Sequence, residues 1–387
     1  MEQAKTYLEK GVQAQGENVT YAAALGALYL IDVHLELKDV DAAVKQLETE
    51  SIAPIDLVKQ KHPAIIGTSV ADAFVAKTYK TSIKVYLAAL RENPNQSIWI
   101  DKSQLIMQAM RENAQRSNDP KVKKNVDGIY RKIASELKRQ FATITDPTEQ
   151  DKYVENLTQF LRTIQNDTDD PDMARWAGST LIEIADVLAL RGGTSRAQQK
   201  QMTELFQQGL AALSNSKKLG LKDPAKLADV QRLTALAKRG IGKYEEALTI
   251  IKDLLKKNPR DVRLQLDAVD TLQTWGSQTK RSRAFAEALM GAERVKNKDN
   301  RTVNLIWGWE QLTQSLKGNP KLEQAYYKSL FGLIEARFEY GVIEDNLKAR
   351  KAALKVLNKA RERDTELGGP SWKSKLEALE SKIKKSL

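Results

Sequence analysis

The side chains best suited to acid–base or metal chemistry are scarce. His34 and His62 are the only imidazoles in 387 residues, and there is no cysteine. The missing thiols remove cysteine nucleophiles, thiolate zinc sites and structural disulfides together. His34 falls at the end of an apolar helical stretch and His62 precedes Pro63 at an expected helix start, neither beside an acid cluster. Packing and capping are the roles those surroundings offer. No H-E-x-x-H, G-x-S-x-G or P-loop pattern occurs, so no catalytic residue, metal site or cofactor is expected.

Two stretches imitate ligand loops. Arg239-Gly240-Ile241-Gly242-Lys243 has the glycines and lysine of a phosphate cradle, but the earlier glycine is missing and Tyr244 stands where Ser or Thr is needed. It reads as a tight turn between helices. Asn166 to Asp172 is acidic enough for calcium, yet lacks the central glycine and distal glutamate. It reads as an acidic helix N-terminus, where carboxylates meet free N–H groups. Trp307 and Trp309 stand two apart, roughly 200° on a helix, so one ring is expected on each side of a buried seam.

The elements that must position these groups are helices. Of the residues, 41% are hydrophobic, 29% charged and 6% aromatic, with helix formers abundant and no long Val/Ile/Thr alternation to suggest a sheet. Amphipathic stretches are punctuated near Lys38-Asp39, Pro54, His62-Pro63, Asn93-Pro94, Asp119-Pro120, Asp146-Pro147, Asp170-Pro171, Gly192-Gly193, Asp223-Pro224 and Gly240 to Gly242. The series continues at Asn258-Pro259, Gly276 to Thr279, Lys298-Asp299, Asn319-Pro320, Gly341 and Gly368 to Pro370. Asp or Asn before Pro supplies an N-cap acceptor and a first-turn proline whose absent N–H is not missed. The spacing predicts about 18 helices in antiparallel pairs.

One spacing recurs. Ala247, Ile251 and Pro259 repeat the offsets of Ser82, Tyr86 and Pro94, with Tyr244 and Tyr79 each three residues before the small residue. Leu25-Gly26-x2-Tyr29 has the form of a first helix, and one repeat earlier Ala4 and Leu8 supply the small and bulky residues of a second. On these residues the chain resembles the tetratricopeptide-repeat family. The resemblance implies an all-α, right-handed α-solenoid of stacked antiparallel helix hairpins, degenerate in its repeats. Three regions are expected: N-terminal repeats over 1–94 beginning in mid-repeat, divergent longer hairpins over 95–222, and C-terminal repeats over 223–387 with a basic final segment.

In that family first helices line a concave peptide groove. Transferred by position, the groove residues are Asp229, Arg232, Leu236 and Arg239, with Arg263 and Leu266 from the next first helix. Leu236 and Asp267 stand where a carboxylate clamp would need amides, so recognition of a peptide's terminal carboxylate is not implied. The resemblance implies a noncatalytic scaffold for a protein or peptide partner.

Charge supports an alternative. The net charge is +12, from 62 basic and 50 acidic residues; residues 1–60 carry five Lys against ten acids, and residues 342–387 carry twelve basic residues against seven acids. Basic clusters lie at Lys121 to Lys132, at Lys280, Arg281 and Arg283, and from Lys348 to Arg363. They suit nucleic acid or another polyanion. Interspersed acids and the lack of interleaved aromatics favour a solvated helix face instead. No apolar run approaches the roughly 18 residues that span a bilayer. The chain is expected to be soluble, and cytoplasmic unless a signal peptide has been removed. Ala4, Tyr7, Leu8 and Val12 form an apolar stripe on the first helix, expected either to have lost a preceding partner or to cap the array.

Overall fold

In the computed structural model the described residues are 1–15, 19–66, 68, 70–93, 96, 98–116, 128, 129, 131, 135, 139, 146–190, 196–296 and 299–387. The expected breaks near Asp119-Pro120 and Gly192-Gly193 and the cluster around Lys121 lie outside them, apart from Arg131. The fold is all-α, with 18 α-helices among the described residues. It forms two units, Met1–Thr168 and Asp169–Leu387. The division falls inside the stretch 95–222.

The first unit holds α1 (Glu2–Gln13), α2 (Tyr21–Glu36), α3 (Val40–Glu48), α4 (Pro54–Lys59), α5 (Pro63–Ile66), α6 (Ala71–Glu92), α7 (Ile98–Arg116) and α8 (Pro147–Asp167). Thr20 and Asp39 cap α2 and α3, accepting from the N–H groups of Ala23 and Ala42 at 3.1 and 3.3 Å. α2 packs on α1, α3, α4 and α6, with Leu28 and Ile31 buried on α2 and Phe74 buried on α6, where its ring meets Tyr21 edge-on. Ser82 and Tyr86 are buried as the repeat pattern requires, but the matching pair on α1 is not: Ala4 is exposed and Leu8 half-buried. Tyr29 is exposed too, with the Lys77 ammonium 3.4 Å above its ring.

The second unit holds α9 (Pro171–Leu190), α10 (Arg196–Lys218), α11 (Pro224–Gly240), α12 (Tyr244–Lys257), α13 (Val262–Thr279) and α14 (Ser282–Met290), then strands β1 (Ala292–Lys296) and β2 (Thr302–Ile306). α15 (Trp309–Leu316), a 3-10 turn at Pro320–Leu322, α16 (Glu323–Ile343), α17 (Leu347–Arg363) and α18 (Pro370–Lys385) follow. Each helix packs on its sequence neighbour, and α9, α11, α13, α16 and α18 also touch in series. Those two sets of contacts are what solenoid stacking means. Ala247 and Ile251 are fully buried in the core between α11 and α13, with Leu272, Phe285 and Trp309.

Local chemistry sets most boundaries. Asp223 accepts from the N–H groups of Ala225 and Lys226 at 2.9 and 3.2 Å, with Pro224 in the first turn. α13 starts later than Asn258-Pro259 suggests, because Asp261 is its cap, accepting from Arg263 and Leu264. α13 ends at Thr279 and α16 at Ile343, at or within two residues of the breaks expected at Gly276 to Thr279 and near Gly341, with both glycines still inside their helices. A Cβ at Gly276 would meet the Phe285 ring at 2.6 Å and one at Gly341 would meet Arg350 at 2.8 Å, so both glycines permit close packing.

The hairpin corrects the expectation of no sheet. β1 and β2 pair antiparallel, Ala292 opposite Ile306 and Lys296 opposite Thr302. Five residues per strand are too few for an alternation to stand out. Buried Gln265 on α13 ties the hairpin down: its Nε2 donates to the Pro259 and Leu305 carbonyls at 2.8 and 2.9 Å, while its Oε1 accepts from the Trp307 N–H at 2.7 Å. The Trp pair is corrected with it. Trp307 lies in the link after β2, outside any helix, and is half-buried, whereas Trp309 starts α15 and is fully buried.

Candidate functional site

The candidate surface is the row of first helices in the second unit, α9, α11, α13 and α16. Stacked helices bury one stripe and leave the next stripe partly exposed. Here that stripe is charged. Between α9 and α11, Lys226 Nζ reaches Asp172 at 2.6 Å, Arg175 Nη1 reaches Asp229 at 2.9 Å, and Arg239 Nη2 reaches Asp186 at 3.4 Å. Between α11 and α13, Arg232 Nε donates to Asp267 Oδ2 at 2.6 Å, and Arg239 lies 4.0 Å from Asp270.

The ties continue. Lys328 on α16 reaches Asp270 at 2.5 Å, Gln273 donates to Glu335 at 2.7 Å, and Lys382 on α18 reaches Glu339 at 2.9 Å. The Gln273 carbonyl oxygen accepts from the buried Trp309 indole at 2.6 Å, which joins the row to the core.

The residues expected to line a groove divide into three kinds. Asp229, Arg232 and Arg239 are on this face but engaged with Arg175, Asp267 and Asp186. Leu236 is buried and Leu266 half-buried against the core. Arg263, in the first turn of α13, is exposed, and its guanidinium has no partner among the described residues. Asp172, Arg175, Asp186, Asp270, Lys328 and Glu335 belong to the same row and were not legible in sequence.

Burial shapes the electrostatics. Desolvation raises the Asp186 carboxyl, against the pull of Arg239, with Asp267 and Asp270 pushing the same way as burial. Asp267 is raised by burial as well, opposed chiefly by Arg232. Burial, reinforced by Glu339, pushes Glu335 up to about 6 against the opposing charge of Lys382 and the bond from Gln273. Arg232 and Asp267, at 13% and 9% side-chain exposure, form a near-buried strut. The pairs of Lys226 and Lys328 are more open, with lysine exposures of 38% and 43%, while Arg239, at 16%, is held nearly as closely as Arg232. Exposed pairs of that kind contribute roughly 0–1 kcal/mol each, so their members can re-pair with a ligand at small cost.

The ligand-loop lookalikes resolve into structure. Arg239 to Lys243 is the turn between α11 and α12, with Gly242 at φ +80°. Asp170 accepts from the Asp172 N–H at 2.8 Å, as a cap of α9. His62 Nδ1 accepts from the Ala64 N–H at 3.3 Å, and buried His34 places Nδ1 3.5 Å from Asp39. Among the described residues no group of three or more His, Cys, Asp or Glu is placed to hold a metal ion. Among the same residues no helix is long and apolar enough to cross a membrane.

No family model matches the chain, and no curated protein does. Solved structures do. A circular tandem repeat protein with novel repeat topology and enhanced subunit contact surfaces aligns at TM-score 0.36 and 10% identity, over 99% of this chain and 88% of its own. Nro1, a hypoxic regulator of sterol synthesis and nuclear import adaptor, aligns at TM-score 0.26 and 14% identity over 91% of this chain and 98% of its own. A second structure of Nro1, from S. pombe, gives TM-score 0.26 and 14% identity over 86% and 98%. At these scores the likenesses carry no argument about activity. The repeat itself departs from the tetratricopeptide period: Arg232 and Asp267 are 35 residues apart, but ties across the other steps of the row span 53 to 62.

Proposed function

We propose that the protein is a noncatalytic scaffold that holds a segment of a partner protein along the α9, α11, α13 and α16 face. The observation that supports this most is the row of half-exposed ion pairs, which presents both charges on consecutive helices together with the unpaired Arg263. A partner segment bearing acids and bases can exchange into such pairs without leaving a buried charge uncompensated. The closely tied Arg232–Asp267 strut keeps the helices that carry them in place.

Selection of a partner peptide from a displayed library, followed by fluorescence anisotropy, tests the reading. The selected peptide binds the wild-type chain and weakens at least about tenfold on Arg263→Glu, the size of one lost charged contact. Selected peptides whose affinity is indifferent to Arg263→Glu and to Lys226→Glu alike count against this face.

A further inference from the structure

α17 carries a feature that the row of first helices does not explain. Lys348, Lys351, Lys355 and Lys359 are all exposed, and their spacing puts them within an arc of about 80° over roughly 16 Å of helix. None of the four makes an ion pair with a described residue. The two arginines of the same helix on its inner side are both used: Arg350 reaches Asp345 at 3.1 Å and the Ser386 carbonyl at 2.7 Å, and Arg361 pairs with Glu380. α12, also the second helix of its hairpin, is different. There Lys256 pairs with Asp253 at 2.9 Å and Lys252 with Glu293 at 3.0 Å, and Lys243, just before the helix, pairs with Glu246 at 3.2 Å.

Like charges at i, i+4 oppose helix formation, so the unpaired row weakens α17 where α12 has neutralising acids. We infer that the α17 lysine row docks an acidic α-helical segment of a partner protein. A helix with glutamates at i, i+4 repeats every 6 Å or so, the rise that separates Lys351, Lys355 and Lys359. Half-buried Leu354 lies beside Lys351, Lys355 and Asn358 in a shallow depression, where it gives such a helix an apolar contact. Glu362 continues the row after Lys359. A sign change suits a protein partner and repels a uniform phosphate chain. No aromatic residue stands in α17 to stack bases or to insert into a lipid surface.

The test uses the full chain and four labelled probes: a helical peptide of roughly five turns with glutamates at i, i+4 around a central leucine, its scrambled isomer, a short DNA duplex, and phosphatidylserine vesicles. The expected result is binding of the ordered peptide in low salt, tighter than the scrambled peptide or the duplex, and weakened at least about tenfold by Lys351→Glu with Lys355→Glu. Both positions are exposed, and an unchanged melting temperature verifies the fold of the variant. Arg263→Glu leaves this binding unchanged, which separates it from the first-helix face. Failure of the ordered peptide to bind, equal binding of the scrambled one, preference for duplex or vesicles, or indifference to the lysine reversals each overturns the inference.

Discussion

Arg232 and Asp267 face each other across α11 and α13 at 2.6 Å, each close to fully enclosed. Their separation of 35 residues is the one place in the row where a tie keeps the spacing of a single tetratricopeptide unit. Removing the guanidinium strands a carboxylate that burial already pushes toward its neutral form. Arg232→Ala is expected to cost about 2–4 kcal/mol, while Arg232→Met with Asp267→Leu recovers most of it, because an apolar pair of similar volume has no charge to desolvate. Urea unfolding of the single and double variants gives the answer; a double variant as unstable as the sum of its parts contradicts it.

Glu335 supplies a pH dependence with a definite sign. Its folded pKa, about 6, lies above the ordinary carboxylate value of 4.5. A raised pKa means the folded state binds the proton more tightly. Its contribution is therefore fully present below pH 4.5 and lost as pH rises through 6. Glu335→Gln keeps an acceptor for Gln273 and removes the buried charge. It is expected to stabilise the protein by roughly 1–2 kcal/mol above pH 7, with the gain disappearing below pH 4.5. Equal shifts at both pH values in thermal melts would oppose this.

Two glycines on helices make a matched pair. A Cβ at Gly332 would lie 2.6 Å from the indole of Trp309, whereas one at Gly11 meets nothing within 4 Å. Gly11→Ala gains about 0.5–1 kcal/mol from helix propensity. Gly332→Ala has the same propensity gain but loses about 1–3 kcal/mol net through overpacking against the fully buried ring. Opposite shifts in melting temperature are the expected result; two stabilised variants would show that the Trp309 contact yields freely.

Gln265 should be the most sensitive polar residue of the hairpin anchor. Gln265→Leu leaves the Leu305 carbonyl and the Trp307 N–H without the partners they have now, at about 1–3 kcal/mol for each group left unsatisfied. Hydrogen exchange is expected to accelerate at Trp307 while the amides of α11 and α12 hold their protection. Unchanged exchange at Trp307 contradicts the anchoring role.

What the sequence disclosed follows the range of the interactions involved. Helix starts at Asp170-Pro171 and Asp223-Pro224 are set by atoms two or three residues apart, and they were legible. Ala247 and Ile251 sit in the core as their spacing implied, since one helical turn relates them. The ends of α13 at Thr279 and of α16 at Ile343 lie within two residues of the expected breaks, but the close packing of Gly276 on Phe285 and of Gly341 on Arg350 was not legible, because those partners lie on the next helix. The hairpin escaped notice because Gln265 anchors it from 40 and 42 residues away. The candidate face was half legible. Arg232 and Arg239 were placed on it by family position, but Asp186, Asp270 and Lys328 join it through ties across 53 to 58 residues. A spacing that changes from 35 to 62 along one row gives no period to find.

The central claim is that a partner lies along the first helices of the second unit. A photo-cross-linking residue placed at Arg263 and, separately, at Lys257 on the exposed end of α12 tests it directly with the selected partner peptide. The account predicts a covalent adduct from position 263 that excess unlabelled peptide abolishes, and none from position 257. Adducts from 257 alone, or in equal yield from both, would contradict it.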